Sequence, residues 1–273
     1  MSSLNLFLAA TWARTYPRVA WLFRSKTWLL QETLLPILAV TATAMSYKAM
    51  DAPKEFAGIV ILGGAMTTFW LNVLWGMGAQ LYWERDSGNL ELYIMSPAPI
   101  TAVLTGMALG GMTTTLIRAA AITIAGVLMF GIPVEPTSWW LLATIFLLTL
   151  AALYGLGMMF ASLFLFWGRE AWHIVNALQE PVYLLSGTNF PLAAVFTDGK
   201  AKLVATAAAI IPLTAGVDAM RQVLFGTPGL FSVELEMAIL AFLAIVFISV
   251  ARHFLRLMEY WAKVEGKLTI RWQ

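Results

Sequence analysis

The chain has 273 residues, of which 60% are hydrophobic and 12% are charged, and its mean hydropathy is +0.78. Soluble domains have roughly a quarter of charged residues, so this composition excludes an ordinary water-soluble globular protein. The formal charge of +2 gives no support for nucleic-acid binding, and the absence of cysteine excludes disulfides and thiolate chemistry.

The first segment, 1–26, is predicted to form an amphipathic helix that lies in the membrane interface. Its leucine and aromatic residues recur at helical spacing, and its arginines fall largely on the opposite face. Pro17 is expected to break or kink this helix. An unstructured basic leader that only sets topology is the alternative.

Long apolar segments follow, each close to or above the roughly 20 residues that cross a bilayer. They predict an all-α integral membrane protein with a single transmembrane domain, 27–250, and a basic cytoplasmic tail, 251–273. The six predicted transmembrane segments are 27–50, 56–82, 101–131, 138–167, 171–225 and 231–250.

The segment 171–225 differs from a plain membrane span because polar residues and prolines interrupt it. Pro181 lies in its first half and Pro212 in its second, with a polar break around Asp198. We expect a broken or re-entrant hairpin, since irregular backbone is tolerated at membrane depth only inside protein or beside a water-filled cavity.

Lysine and arginine positions predict the orientation of the chain. If both termini are cytoplasmic, the inner loops and tails hold most of the basic residues, as the positive-inside rule requires. We therefore predict a multi-pass protein of the inner (plasma) membrane with both termini in the cytoplasm.

The most informative segment, 84–97, follows the second span. Gly88 can take a backbone conformation that other residues avoid, and Asn89 can cap a short helix that begins at Leu90. Pro97 cannot continue that helix. We expect a compact amphipathic helix in the cytoplasm, with an ordinary topological loop as the alternative.

This segment resembles the signature of permeases from the type-2 ABC exporter class, with Asn89 in place of a threonine. That class includes exporters of drugs, antibiotics, nodulation factors and polysaccharides. A second similarity, to the late extracellular hairpin of the same family, lies at Gly187, Phe190, Pro191, Pro212, Asp218 and Arg221. The chain thus resembles an ABC-2 type transporter permease.

The resemblance implies that the segment 84–97 is a coupling helix that docks on a separate ATP-binding cassette ATPase subunit. It also implies a second permease subunit, identical or different, and assigns ATP and Mg to the ATPase rather than to this chain. The residues given to ATPase coupling are Glu84, Arg85, Gly88, Asn89, Leu90, Glu91, Tyr93 and Pro97.

The chain itself shows no Walker-type phosphate loop. Its Gly-Lys pairs, Gly199-Lys200 and Gly266-Lys267, are followed by Ala201 and Leu268, and Ala194 and Trp261 stand at the upstream positions that need glycine. Nucleotide is therefore expected to bind elsewhere, and no cofactor-binding residue is predicted in this chain.

Four ionisable residues lie within apolar segments: Glu32, Arg118, His173 and Glu180. Each costs about 2.5–3.5 kcal/mol at the bilayer centre, so Arg118 calls for an acidic partner, either Glu180 or Glu32. A structural salt bridge and a contact with substrate are both open. His173 and Glu180 share a helical face, but two ligands without a third predict no metal site.

The leading hypothesis is a permease that exports a hydrophobic or amphipathic molecule, such as a drug, lipid or lipid-linked compound, from the cytoplasm or inner leaflet. Export of a polysaccharide or glycolipid is the alternative. An intramembrane enzyme is a remote third, because no nucleophile and base or metal cluster is present and no catalytic residue is predicted. Membrane lipid is an expected partner and nucleic acid is not.

Overall fold

A computed structural model describes residues 3–167 and 170–264, and in these residues every regular element is a helix. The end of the predicted basic tail, residues 265–273, lies outside the described residues. The helices are α1 (Ser3–Arg24), α2 (Lys26–Ala49), α3 (Lys54–Leu71), α4 (Gln80–Asp86), α5 (Asn89–Met95), α6 (Ile100–Phe130), α7 (Trp139–Trp167), α8 (Ala171–Leu185), α9 (Leu192–Val195), α10 (Gly199–Ala207), α11 (Pro212–Phe225) and α12 (Val233–Val264).

Five segments of the described chain are long and apolar enough to cross a membrane: α2, the continuous run from α3 to α4, α6, α7 and α12. The pair formed by α10 and α11 makes a sixth when it is counted as one span, although a bend of 100° separates its two helices. The prediction of an all-α membrane protein with six transmembrane segments is confirmed.

A π-helical segment, Asn72–Gly78, joins α3 to α4 without a break in the helix. The helix therefore continues to Asp86, although the sequence placed the end of this span near Tyr82 and a loop from Trp83. The last turn of α4 is polar but still packed, because Leu81 and Glu84 are buried. The predicted coupling segment thus begins inside a helix.

The N-terminal helix α1 packs closely along α6. A Cβ atom at Gly106 would overlap the backbone of Thr11, and one at Gly110 would press on the Arg18 side chain. The Thr15 hydroxyl donates a hydrogen bond to the Gly106 carbonyl across the same contact, at 3.1 Å. Gly106 and Gly110 therefore allow the close approach of α1, whereas Gly111 and Gly126 of the same helix lie against the span that runs from α3 to α4.

Pro17 does not break α1, which is helical from Ser3 to Arg24. Proline removes one backbone hydrogen bond, and the packing of α1 on α6 offsets that loss. The leucine and aromatic face of α1 points away from the bundle, with Leu4, Leu8 and Trp12 exposed. Arg14 and Arg18 point toward the protein, whereas Arg24 at the end of α1 is exposed.

The last helix, α12, packs along α7, where Gly155 brings α7 close to Phe247 and Ile248. The sequence ended the final span at residue 250, but α12 continues to Val264. Arg252 and Arg256 accordingly lie on this helix instead of in an extended tail. The largest hydrophobic core lies between α3, the π-helical segment, α7 and α11, around Phe69, Trp70, Leu74, Met77, Phe164 and Leu213.

Candidate functional site

Glu84, in the last turn of α4, is the centre of a hydrogen-bond cluster. Its side chain is only 5% exposed. Oε1 accepts hydrogen bonds from Arg14 of α1 and from Gln80, the latter at 2.9 Å. Oε2 accepts from the Asn89 amide and the Tyr93 hydroxyl of α5, both at 3.1 Å. One buried carboxylate therefore joins α1, α4 and α5, and we call these five residues the Glu84 cluster.

Tyr93 is held in its protonated form inside this cluster. Burial raises the pKa of Tyr93 to about 12, and the nearby Glu84 carboxylate adds to the rise, whereas Arg14 opposes it. The Arg14 guanidinium lies 5.6 Å from the centre of the Tyr93 ring. At neutral pH the phenol therefore keeps its proton and donates a hydrogen bond to Glu84, and the Arg14 guanidinium covers its ring.

The backbone of Gly88 makes the turn between α4 and α5. Its φ of +77° is in the left-handed region that favours glycine, as the sequence predicted. The expected cap by Asn89 is wrong: Asn89 is the first helical residue, and no side chain caps α5. The Asn89 side-chain amide instead donates hydrogen bonds to the Glu84 carboxylate and to the Ser87 hydroxyl, the latter at 3.2 Å.

The short helix α5 has one face in the bundle and one face outside it. Leu90 is fully buried with Leu81 and Leu104, which anchors the helix. Leu92 and Met95 are 60% and 72% exposed. Leu90, which the sequence assigned to coupling, is therefore interior, and the exposed apolar side chains of α5 are Leu92 and Met95.

The other predicted coupling residues lie around this face. Arg85 covers the ring of Tyr82, with its guanidinium carbon 5.4 Å from the ring centre. Glu91 is half-buried and Pro97 is exposed after the end of α5. The structure thus brings the eight residues together as one compact unit, in which Glu84 and Leu90 are interior.

Arg118 of α6 pairs with Glu32 of α2, with Nη2 and Oε2 2.8 Å apart. From the sequence, Glu32 and Glu180 are both candidate partners of Arg118. The guanidinium also lies 5.5 Å from the centre of the Trp28 ring. Glu180 accepts a weak hydrogen bond from Gln179 at 3.4 Å instead.

Two cavities meet at Arg118 and Leu71. One, of 430 Å³, is lined by polar and aromatic side chains that include Arg18, Trp28 and Glu32. The other, of 610 Å³, has a more aliphatic lining that includes Leu35 and also contains Glu180. Two compartments therefore lie side by side, one with more charged and tryptophan side chains and the other with more aliphatic side chains and threonines.

His173 does not join the other intramembrane ionisable residues. It is exposed on α8 and lines a separate cavity with Tyr82, Glu170 and Trp172. Within residues 3–167 and 170–264 no group of three His, Cys, Asp or Glu side chains could hold a metal ion. The His173 and Glu180 pair thus provides no metal site in the part of the chain described.

The predicted hairpin residues surround a sharp turn after α8. Gly187 has a φ of +66°, and the neighbouring Thr188 carbonyl lies so close to Gly63 of α3 that a Cβ there would overlap it. Pro191 precedes α9, with Phe190 half-buried beside it. Pro212 is the first residue of α11, where its missing N–H costs nothing.

Asp218 and Arg221 form a buried ion pair on α11. Arg221 Nε also donates to the Thr227 hydroxyl at 3.1 Å, and Asp218 Oδ2 accepts from the backbone N–H of Leu230 at 2.7 Å. Through Gln222 the network reaches Glu236 of α12, which accepts a hydrogen bond at 3.0 Å. The pair therefore ties the loop after α11 to the start of α12.

Several members of these sites were not predicted from the sequence, notably Arg14, Gln80, Gln222 and Glu236. From the sequence, Arg14 is one of the arginines on the polar face of the predicted interface helix. The i, i+4 spacing of Gln80 and Glu84, and of Asp218 and Gln222, was the available signal. The partners from other helices carry no such local signal.

Residues 11–225 match the family model of the ABC-2 type transporter. This match covers most of the chain, which therefore belongs to the ABC-2 type transporter family. A comparison with individual curated proteins gave no match. The chain is accordingly a multi-pass membrane protein and a permease subunit of an ABC transport system.

Proposed function

We propose that this permease is an exporter whose transport is driven by a separate ATP-binding cassette subunit that docks on α5. ATP and Mg would bind to that subunit. A second permease subunit would complete the translocation path. In this proposal both termini, α4 and α5 face the cytoplasm of a cell bounded by an inner (plasma) membrane, and the hairpin 186–211 faces outward.

The observation that carries the proposal is the construction of α5. Its buried side, Leu90, and the Glu84 cluster fix the helix to α1 and α4, while Leu92 and Met95 remain exposed. Exposed apolar side chains on a rigid element outside the spans are typical of a protein interface. A rigid attachment is also what the transmission of a rigid-body movement requires.

The substrate we propose is a hydrophobic or amphipathic molecule. The larger cavity, of 610 Å³, is of the size that holds small ligands, and side chains such as Pro36, Ala39 and Val40 line it. The neighbouring tryptophan-lined cavity supports the alternative of a polysaccharide or glycolipid, because aromatic rings stack on sugars. Replacement of Val40 with tryptophan distinguishes the two substrate classes, because it should hinder the transport only of a substrate that uses the aliphatic cavity.

Site-directed photo-crosslinking tests the docking surface. A photo-reactive amino acid at Met95 or Leu92 should capture the ATP-binding subunit in membranes. The same group at Leu90 is the matched control, because Leu90 lies on the same short helix but is fully buried, and it should yield only bonds within the permease. Capture of lipid alone from Met95 and Leu92 would contradict the proposal.

A further inference from the structure

The smaller of the two cavities at Arg118 has the chemistry of an anion site. It is lined by two arginines, Arg18 and Arg118, and by one carboxylate, Glu32. Its formal charge is therefore positive even with the Arg118–Glu32 pair intact. Arg118 Nε is buried and has no hydrogen-bond partner among the residues that the structure describes. The Arg118 guanidinium therefore has hydrogen-bonding capacity that its pairing with the Glu32 carboxylate does not use, because arginine offers five N–H donors.

The cavity lies near the start of α2 rather than at its middle. Glu32 is six residues after Lys26, where α2 begins, which places it about 9 Å along the helix axis. Arg118 lies near the middle of α6, but α6 is about 46 Å long, whereas a bilayer core is about 30 Å thick. If α2 enters the bilayer at its first residue, the Arg118–Glu32 pair lies about 9 Å from that surface.

Tryptophans surround the charged groups. Trp21 of α1 and Trp28 of α2 lie with their ring centres 4.6 Å apart, and Trp75 and Trp83 complete the lining. Trp21 and Trp83 are half-exposed, so the cavity opens to the surroundings of the bundle. Tryptophan is typical of the depth at which lipid headgroups meet hydrocarbon.

We propose that this cavity between α1, α2 and α6 binds the phosphate headgroup of an anionic phospholipid. Basic pockets between membrane helices recognise such headgroups, and arginine offers several N–H donors to the phosphate oxygens. The acyl chains would run toward the adjoining aliphatic cavity, which shares Arg118 and Leu71 with the headgroup site. Glu32 competes with the phosphate for Arg118. This site is independent of the direction of transport and of the ATP-binding subunit.

Lipid binding to the purified permease in mild detergent tests this site. Native mass spectrometry would follow titrations with dioleoyl phosphatidylglycerol and with dioleoyl phosphatidylcholine. The wild type should bind the anionic lipid about tenfold more tightly, the effect of one hydrogen bond to a charged group. Arg118→Gln should remove the preference. Glu32→Gln should increase it, because the competing carboxylate is gone.

Arg24→Gln is the matched control, since Arg24 is an exposed arginine of α1 outside the cavity lining and should leave the preference unchanged. Thermal unfolding of each variant checks that it is folded. If Arg118→Gln does not fold, the lipid preference of Glu32→Gln decides the test. Equal binding of both lipids by the wild type, or no increase in Glu32→Gln, would overturn the proposal. Displacement of the lipid by millimolar inorganic phosphate would also overturn it in favour of a free anion.

Discussion

At the residue scale, the central finding is that one carboxylate, Glu84, holds three helices together. It receives hydrogen bonds from Arg14, Gln80, Asn89 and Tyr93 and is almost fully buried. A buried acceptor with charged and neutral donors is expensive to remove, because every donor then loses its partner.

Glu84→Ala should therefore lower the thermal stability of the purified permease, by about 1–3 kcal/mol for the donors left unpaired. An exposed loop residue, by contrast, should tolerate replacement by alanine without loss of stability. Glu91→Ala, on the adjoining helix α5 but outside the Glu84 cluster, is the control and should unfold at the wild-type temperature. Identical melting of Glu84→Ala and the wild type would refute the role of the cluster.

Tyr93 gives the cluster a predicted pH dependence. The pKa of Tyr93 is raised to about 12 in the fold, above its ordinary value near 10, so the folded state holds the proton more tightly than the unfolded state. The resulting stabilisation is complete below pH 10 and is lost as the pH rises toward 12. Tyr93→Phe should lose less stability over this interval than the wild type, as measured by thermal unfolding at each pH. Parallel curves would contradict the assignment.

At the element scale, ion pairs and close helix contacts hold the spans in register. Arg118→Ala should reduce stability because it leaves Glu32 beside an apolar span without its partner. Adding Glu32→Gln to this variant should restore part of the loss, whereas adding Glu180→Gln should not. Protein abundance in membranes and the unfolding temperature are the measurements. Equal rescue by both second changes would show that the pair is not specific.

The contact between Gly63 of α3 and the backbone of Thr188 allows a second test of how the helices pack. Gly63→Ala should destabilise the protein by about 1–3 kcal/mol, because the added methyl group meets the rigid backbone carbonyl of Thr188. Gly199→Ala places the same methyl group in open space and should have little effect. Similar unfolding temperatures for the two variants would mean that α3 and the hairpin are not in tight contact.

The elements themselves were largely predictable from the sequence, and their tertiary partners were not. Apolar runs of spanning length are a local property, so α2, α6 and α7 could be foreseen from hydropathy. The extension of α4 to Asp86 depended on the burial of Glu84 by distant residues. The pairing of Arg118 with Glu32 rather than Glu180 likewise depends on which helices are neighbours, and a single sequence does not state that.

At the scale of the whole molecule, the orientation is a prediction from the basic residues, and cysteine scanning checks it. The chain contains no cysteine, so single substitutions report without background. Asp51→Cys, between α2 and α3, should react with an impermeant thiol reagent applied to intact cells. Asp86→Cys, beside α5, should react only after the cells are opened. The reverse pattern would invert the proposed topology.

The most direct test of the whole account is the ATPase activity that accompanies the permease. Wild-type protein purified in mild detergent should retain an ATP-binding subunit and hydrolyse ATP. Replacement of both Leu92 and Met95 with glutamate should abolish that activity, at equal abundance in the membrane, because it places charge on the proposed docking face. Val195→Glu, at an exposed apolar residue of α9, should retain it. Wild-type permease that carries no ATPase activity, or a double variant that keeps it in full, would contradict the assignment of α5 as the docking site.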